Sequence, residues 1–291
     1  MPGDGQRGDP LGLALGCGAR LPGPDAGGLG DTDGSTTMEE RAVKIDWNIT
    51  DNHRASFRYS EVDQSQLRTP STSGTIVNLS STHYQQEKSI KNYVAQMFSD
   101  WNENFSTEFK VSYRDYSSER VSPNTLANIK IYFEGDEANP TGRFIQMGQD
   151  VSTPLNLLTT ETWTGYGAGV LAFADHELKF GVDYSTNDVY NMFVQNAYGT
   201  YEFYETGQLE QGNFASGRWS SYQLHAPQPG ASIDSVGAAF KYKELGLFVQ
   251  DTWYVNNNLT LTFGLRADKP SVGGRPGFNQ AALDAFGYDN S

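Results

Sequence analysis

The four histidines of the chain offer the widest choice of chemistry, because a neutral imidazole can serve both as a metal ligand and as a general base. They stand at His53, His83, His176 and His225, and their spacing matches no metal-binding motif. His53 and His176 fall in predicted short turns, where a solvated polar residue is expected. The single cysteine, Cys17, excludes an intrachain disulfide framework and a Cys-rich zinc site. The sequence also contains no nucleophile elbow, phosphate-binding loop or HExxH helix.

Two further segments have residue types that suit ligand binding. Gly165, Gly167 and Gly169 form a glycine-rich run, but their spacing differs from the dinucleotide-binding fingerprint and no helical pattern follows. Alternate glycines on one face of a strand are expected where packed elements of a barrel lumen approach closely. The acidic segment 134–137 and Asp150 lack the ligand rhythm of a calcium loop, which favours a solvated loop. The sequence therefore predicts no enzyme, no catalytic, cofactor or metal site, and no individual substrate-binding residue.

Composition narrows the class of protein. The 291 residues carry 35 acidic and 21 basic side chains, a formal charge of −14, which argues against nucleic acid as a partner. Hydrophobic residues make up 37% of the chain, yet aromatic residues reach 13%, so general disorder is not expected. No stretch has the roughly 18–20 apolar residues of a membrane-spanning helix. These features indicate a polar, aromatic β protein.

Residues 1–40 differ from the rest of the chain, because they are rich in Gly and Pro and contain no aromatic residue. The short apolar run 11–17 ends at Cys17 and could be part of a lipoprotein signal. Asp4 and Asp9 stand where such a signal needs positive charge, however, and glycine interrupts the run. The segment is therefore expected to be a disordered leader or an artefact of a start that was set upstream of Met38.

From residue 43 onward, apolar and polar residues alternate with the period of two that is typical of strands. Five stretches show it most clearly: Val43–Ile49, Ala55–Tyr59, Phe105–Tyr113, Leu178–Tyr184 and Leu259–Leu265. Polar turns rich in Asn and Asp connect the strands in pairs, as tight hairpins require. The pattern predicts four hairpins and about eight strands of roughly 9–13 residues.

The connections between the predicted hairpins are long and cover residues 63–88, 118–158 and 186–244. Soluble β domains keep most connections to roughly 4–6 residues. A strict alternation of short and long connections places every long loop at the same end of the sheet. This asymmetry is typical of outer-membrane barrels, which have short periplasmic turns and long extracellular loops.

Aromatic residues are expected to mark the two membrane interfaces, since Trp and Tyr concentrate at the level of the lipid headgroups. The group near the short turns comprises Trp47, Trp101 and Trp253, and the group toward the long loops comprises Tyr59, Tyr113, Tyr116 and Tyr184.

Three segments resemble barrel hairpins of TonB-dependent outer-membrane receptors. Leu247–Arg266 resembles the "FxQDxW" strand, polar turn and "LTLxxGLR" strand that recur in that family, and His176–Tyr184 resembles its "HxLKFGxxY" strand. Lys44–Arg54 is similar to a hairpin opening of the Oar-like subgroup. The resemblance covers roughly residues 42–268. It implies an all-β fold, an antiparallel up-and-down meander of about eight long strands that forms part of an outer-membrane barrel.

A complete receptor of this family has a plug domain, a TonB box and about 22 strands, and no segment of this sequence resembles the first two. The sequence is therefore expected to be a middle portion of a receptor. It divides into a leader at 1–40, a partial barrel at 41–268 and a truncated loop or tail at 269–291. Its strands should form an incomplete, curved wall.

The resemblance implies a receptor in the outer membrane of a Gram-negative bacterium that takes up a solute across that membrane. Expected partners are outer-membrane lipid, a solute captured by the extracellular loops and, in a full-length receptor only, the TonB complex; no cofactor is expected. The aromatic loop 186–244 is a candidate capture surface. Two alternatives stay open: a small non-transporting barrel or adhesin, and a secreted carbohydrate-binding β-sandwich. The sandwich predicts a shared dry core that contains Phe57, Phe109, Phe180 and Phe263.

Overall fold

The computed structural model describes residues 27–29, 34–70, 72–122, 124–133, 142–152, 154–204, 214, 217–274, 278 and 280–289. Its dominant feature is one antiparallel sheet of eight long strands, in which each strand pairs with the next long strand along the chain. In spatial order these strands are β1 (Thr37–Asn48), β2 (His53–Arg68), β4 (Tyr84–Asn102), β5 (Phe105–Val121), β8 (Asn156–Phe173), β9 (His176–Phe193), β12 (Ala238–Asn256) and β13 (Leu259–Gly273).

The predicted meander of eight strands and four hairpins is confirmed. Within the described ranges no pairing joins β1 to β13, so the sheet forms an open wall. Turn chemistry explains where the hairpins close. The side chains of Asn102 and Asn256 each accept a hydrogen bond of 2.9 Å from the backbone N–H two residues later, at Asn104 and Asn258. Asn favours such turns because its side chain replaces a backbone acceptor.

The strands are longer than the sequence predicted. They contain 12–19 residues, where 9–13 were expected. The prediction was wrong because the outer ends of the strands are polar on both faces, as in the Gln85–Ser89 portion of β4. Alternation disappears in such stretches, although the strands continue and remain paired.

The register of the sheet shows that its strands are tilted. His53 begins β2 but pairs with Ser99, three residues before the end of β4. Phe105 begins β5 and pairs with a residue two positions before the end of β8. His176 begins β9 and pairs with a residue three positions before the end of β12. Each hairpin turn is therefore displaced by two or three residues relative to the last. With a rise of about 3.3 Å per residue and about 4.8 Å between strands, this stagger corresponds to a tilt of about 40°. Outer-membrane barrels have tilts of this size.

The long connections contain a second sheet that the sequence did not predict. Its core consists of Ile129, Ile131, Tyr201 and Phe203, and Phe203 is fully buried. We call this sheet the cap. Its five strands, in spatial order, are β11 (Ser221–Gln223), β10 (Thr200–Tyr204), β6 (Asn128–Tyr132), β7 (Phe144–Met147) and β3 (Ile76–Asn78). A short helix, α1 (Gln280–Phe286), follows β13.

The two sheets do not form the sandwich that was one alternative. The four phenylalanines that a sandwich would bury are exposed on one face of the long sheet, with exposed fractions of 44% for Phe57, 53% for Phe109, 42% for Phe180 and 58% for Phe263. The hydrophobic core cluster lies in the cap instead. The long sheet is thus a wall with one apolar face turned outward.

Candidate functional site

The apolar face of the wall is continuous across all eight strands. Residues that pair across the sheet share a face, so Ile45, Phe57, Val111, Tyr184 and Leu245 belong to the same face. Large side chains on this face are exposed throughout the described wall. Soluble monomers rarely expose an apolar surface of this extent. Such a surface is typical of a barrel wall that faces lipid.

A row of aromatic rings limits the apolar face on the side of the cap. Tyr59, Tyr93, Tyr113 and Trp163 pair in sequence across four adjacent strands. Their ring centroids lie 4.9, 6.1 and 4.7 Å apart. Aromatic side chains with a polar edge concentrate where hydrocarbon meets headgroups. This row therefore marks the outer membrane interface on these strands.

A row of charged residues follows immediately beyond the aromatic row. On the same face and two residues further along each strand lie Arg41, Glu61, Lys91, Asp115 and Glu161. The Glu61 carboxylate lies 3.4 Å from Arg41 and 3.7 Å from Lys91. Charged side chains are costly on a lipid-facing surface, so the strands leave the hydrocarbon between the two rows.

A second aromatic group lies next to the short turns. The ring of His176 stacks between Phe173 and Trp253, at centroid distances of 5.4 and 5.6 Å. Trp101 packs against His53 at 5.1 Å. The expected concentration of aromatic residues near the turns is therefore present, and two of the histidines take part in it.

One member of the predicted loop-side group was placed wrongly. Tyr116 lies three residues after Tyr113 on β5 and so belongs to the opposite face of the strand. Tyr184 does lie on the apolar face. The sequence analysis missed Tyr93 and Trp163, although both could have been found by pairing the strands in register from their turns.

The glycines of β8 also have a different role from the one predicted. Gly165, Gly167 and Gly169 lie on the apolar face and not toward a lumen. A Cβ at Gly169 would stand 2.9 Å from the ring of Phe180 and 3.2 Å from that of Phe105. Glycine therefore leaves room here for aromatic rings of both neighbouring strands to cover the backbone.

The opposite face of the wall is polar and carries paired charges. Arg266 bonds to Asp183 at 2.6 and 3.0 Å and also contacts Asp268 at 2.6 Å. Gln96 donates a hydrogen bond of 2.6 Å to Glu108 on the neighbouring strand. A polar inner face opposite a lipid-facing outer face is the arrangement of a barrel with an aqueous interior.

The other residues singled out from the sequence do not come together. No group of three or more His, Cys, Asp or Glu residues that could hold a metal occurs in the part of the chain that the structure describes. His176 Nδ1 lies 2.8 Å from an oxygen of Asp251, as an isolated pair. Asp150 accepts a hydrogen bond from the Ser152 backbone at 3.2 Å. The acidic segment 134–137 and Cys17 lie outside the described residues.

The strands of the cap contain four aromatic residues of the candidate capture loop 186–244. Tyr201, Phe203 and Tyr204 are buried, so these three rings pack the cap itself. Burial, with a nearby Glu202 carboxylate as the next cause, raises the pKa of Tyr132 to about 12. Tyr132 stacks on Tyr204 at 4.6 Å. The exposed aromatic side chains of this loop are Tyr198, Trp219 and Tyr222 near the cap, and Phe193 and Phe240 on β9 and β12 of the wall.

Comparisons with known proteins agree with this geometry. Among the described residues, no helix has the length and apolar character needed to cross a bilayer. No curated protein sequence matches the chain. The outer membrane transporter YddB from Escherichia coli has a similar structure, with 12% identity over 81% of this chain and 27% of that chain and a TM-score of 0.56. The ferric-catecholate import receptor Fiu from E. coli also has a similar structure. The identity is 11% over 84% of this chain and 36% of that chain, and the TM-score is 0.52.

These identities show a shared fold only, and the chain spans well under half the length of either structure. A family model described as "Outer membrane beta barrel domain" matches residues 9–280, nearly the whole chain. The chain therefore belongs to the outer membrane β-barrel domain family and is a protein of the bacterial outer membrane.

Proposed function

We propose that the chain is the barrel portion of a TonB-dependent receptor of the Oar-like type, which takes up a solute across the outer membrane. The observation that carries the proposal is the difference between the two ends of the wall. Short turns lie at one end, and the long connections at the other end fold into a cap beyond the charged row. Residues 41–268 would supply most of the wall, which begins at Thr37 of β1 and ends at Gly273 of β13. The residues before it would form a leader, and those after it would be part of a further loop.

In this proposal the cap faces the outside of the cell and captures the solute. The polar face of the wall, with the Arg266–Asp183 pair, lines the interior that a plug occupies in a full-length receptor. Energy that the TonB complex delivers to the plug then opens the path. The wall has no chemical step of its own, so the proposed role is transport and not catalysis.

Uptake can be tested without knowing the solute. Cells that express the gene in a strain with TonB, and in a matched strain without it, would be grown in a complex medium. Mass spectrometry of the spent medium then shows which compounds are depleted. The proposal predicts a depletion that needs both the gene and TonB. Depletion that is equal in the strain without TonB, or that does not depend on the gene, would contradict it.

A non-transporting adhesive barrel is the second candidate function. Its support is the exposed ring cluster of Trp219 and Tyr222 on the packed cap, where Tyr222 lies 4.4 Å from Tyr201. Gene-dependent attachment of cells to a surface, in the absence of any gene-dependent depletion, would favour this candidate.

A further inference from the structure

We infer that a cleft at the base of the cap binds a small organic acid that also carries a hydroxyl group. The cleft lies between the outer ends of β5, β8 and β9 and the segments that lead into the cap, and its volume is about 230 Å³. The inference rests on the proposed function for its role in uptake, but the binding itself can be tested separately.

Arg120 supplies the positive charge of the cleft. Its Nη1 donates a hydrogen bond of 3.3 Å to the Ser152 carbonyl oxygen, and its guanidinium lies 5.5 Å from the centroid of the Tyr84 ring. Its Nε is buried and has no hydrogen-bond acceptor. Glu119 also lines the cleft, but neither its carboxylate nor any other among the described residues forms an ion pair with Arg120. A partly buried guanidinium without a counter-charge is costly, so the cleft favours an anion.

Two neutral groups with unmet hydrogen bonds line the same cleft. Ser122 Oγ and Gln149 Oε1 are both buried without a partner. Gln149 is held in place, since its backbone N–H donates to Leu126 at 3.1 Å and its carbonyl oxygen accepts from Asn128 at 2.7 Å. Its side-chain amide nitrogen donates to the Asn124 carbonyl oxygen. The remaining oxygen can only accept, so it calls for a donor such as a hydroxyl.

Apolar side chains also line the cleft, including Leu155, Leu157 and Met192, beside the polar side chains of Asn124, Thr125, Asn156 and Tyr198. A ligand with a hydrocarbon body would cover these side chains while its carboxylate faces Arg120. Inorganic phosphate fits less well, because a doubly charged anion would meet one cation and would leave the apolar wall uncovered. On β5, Arg120 lies five residues beyond Asp115 of the charged row. The cleft is therefore on the aqueous side of the outer interface.

Three related probes separate the features of the proposed ligand. Mandelate carries a carboxylate and a hydroxyl, mandelamide lacks the charge, and phenylacetate lacks the hydroxyl. Binding to the purified full chain in detergent micelles would be measured by ligand-observed NMR. We expect saturable binding of mandelate, with mandelamide at least about tenfold weaker, because a charge-assisted hydrogen bond is lost. Phenylacetate should bind several-fold more weakly than mandelate.

Variants assign the binding to the cleft. Arg120→Gln should weaken mandelate binding by about tenfold or more, and Ser122→Ala should weaken it less while keeping the charge. The matched control is Arg114→Gln on the same strand, whose guanidinium bonds to Thr162 and does not line the cleft. The heat-dependent mobility of each variant in SDS gels checks that it is folded.

Several outcomes would overturn the inference. Mandelate and mandelamide could bind equally, or mandelate binding could be unchanged in Arg120→Gln. Phosphate could bind more tightly than mandelate. If none of the probes binds, the cleft holds only water. Mandelate binding without TonB-dependent depletion would remove the proposed transport function and keep the cleft. TonB-dependent depletion without mandelate binding would keep the proposed transport function and remove the proposed binding at the cleft.

Discussion

Arg266 of β13 spans a whole strand to reach Asp183 of β9. Its guanidinium donates hydrogen bonds of 2.6 and 3.0 Å to the two oxygens of that carboxylate. The strand between them is β12, whose Gly246 pairs with Asp183 on one side and with Asp268 on the other. A Cβ at position 246 would contact the guanidinium. Glycine therefore leaves the space through which Arg266 joins three strands of the wall.

Replacing this glycine should have the same effect as removing the ion pair. We expect Gly246→Ala and Asp183→Asn each to lower the free energy of unfolding slightly and by similar amounts, since the pair is partly exposed. The double variant should lose little more than either single variant, because both changes remove one interaction. Urea unfolding in detergent micelles measures these values. Gly264→Ala is the control, since the nearest atom to its Cβ would be 3.6 Å away. Fully additive losses would contradict the explanation.

The glycines of β8 provide a second matched comparison. Gly169→Val should destabilise the chain by about 1–3 kcal/mol, because its side chain would collide with the rings of Phe180 and Phe105. Gly165→Val should be neutral or stabilising, since no atom lies within 4 Å of its Cβ position and valine favours strands. The same unfolding measurement applies. A greater loss at position 165 than at 169 would show that the rings do not cover β8 as described.

The cap should lose its packing when its central ring is removed. Phe203 is fully buried in the core of the cap. Phe203→Ala is therefore expected to lower the free energy of unfolding of the cap by about 3–5 kcal/mol. Hydrogen exchange followed by mass spectrometry should show faster exchange in β6 and β10, with β12 unchanged. Leu224→Ala is the control, because that side chain is 48% exposed. Equal acceleration in β12 would mean that cap and wall unfold as one unit.

Alkaline pH should weaken the cap through Tyr132. Because burial raises its pKa to about 12, the folded cap holds this proton more tightly than the unfolded chain does, where the pKa is about 10. The stabilisation is complete below about pH 10 and is lost as the pH rises toward 12. Near-ultraviolet circular dichroism should follow this loss. Tyr132→Phe should shift the transition to higher pH, and an unchanged transition would contradict the assignment.

The sequence was sufficient for the wall but not for the cap. Alternation from Phe105 to Tyr113 and the Asn-containing turns predicted the hairpins, because lipid on one face and water on the other impose a period of two. Beyond Asp115 both faces meet water, so the pattern could not show that β5 continues to Val121. The cap depends on contacts between distant segments, such as the parallel pairing of Ile129 with Tyr201. Short strands of this kind leave no periodic signal.

The candidate cleft also could not be predicted from the sequence. Arg120 lies in β5 and Gln149 lies between β7 and β8, and only the folded chain shows that both line one cleft. The misplaced Tyr116 is different in kind, because counting from Tyr113 would have assigned it to the other face.

The most direct test of the account is the environment of each residue along β5. Single cysteines would be placed at positions 105–121 in a chain with Cys17→Ser, labelled with a nitroxide and studied by electron paramagnetic resonance in lipid vesicles. We predict that oxygen accessibility is high at 105, 107, 109, 111 and 113, and that a water-soluble nickel reagent reaches the positions between them. From Asp115 onward every position should be open to the nickel reagent. Equal nickel accessibility on both faces from 105 to 113, or alternation that persists to 121, would contradict a wall that leaves the bilayer between Tyr113 and Asp115.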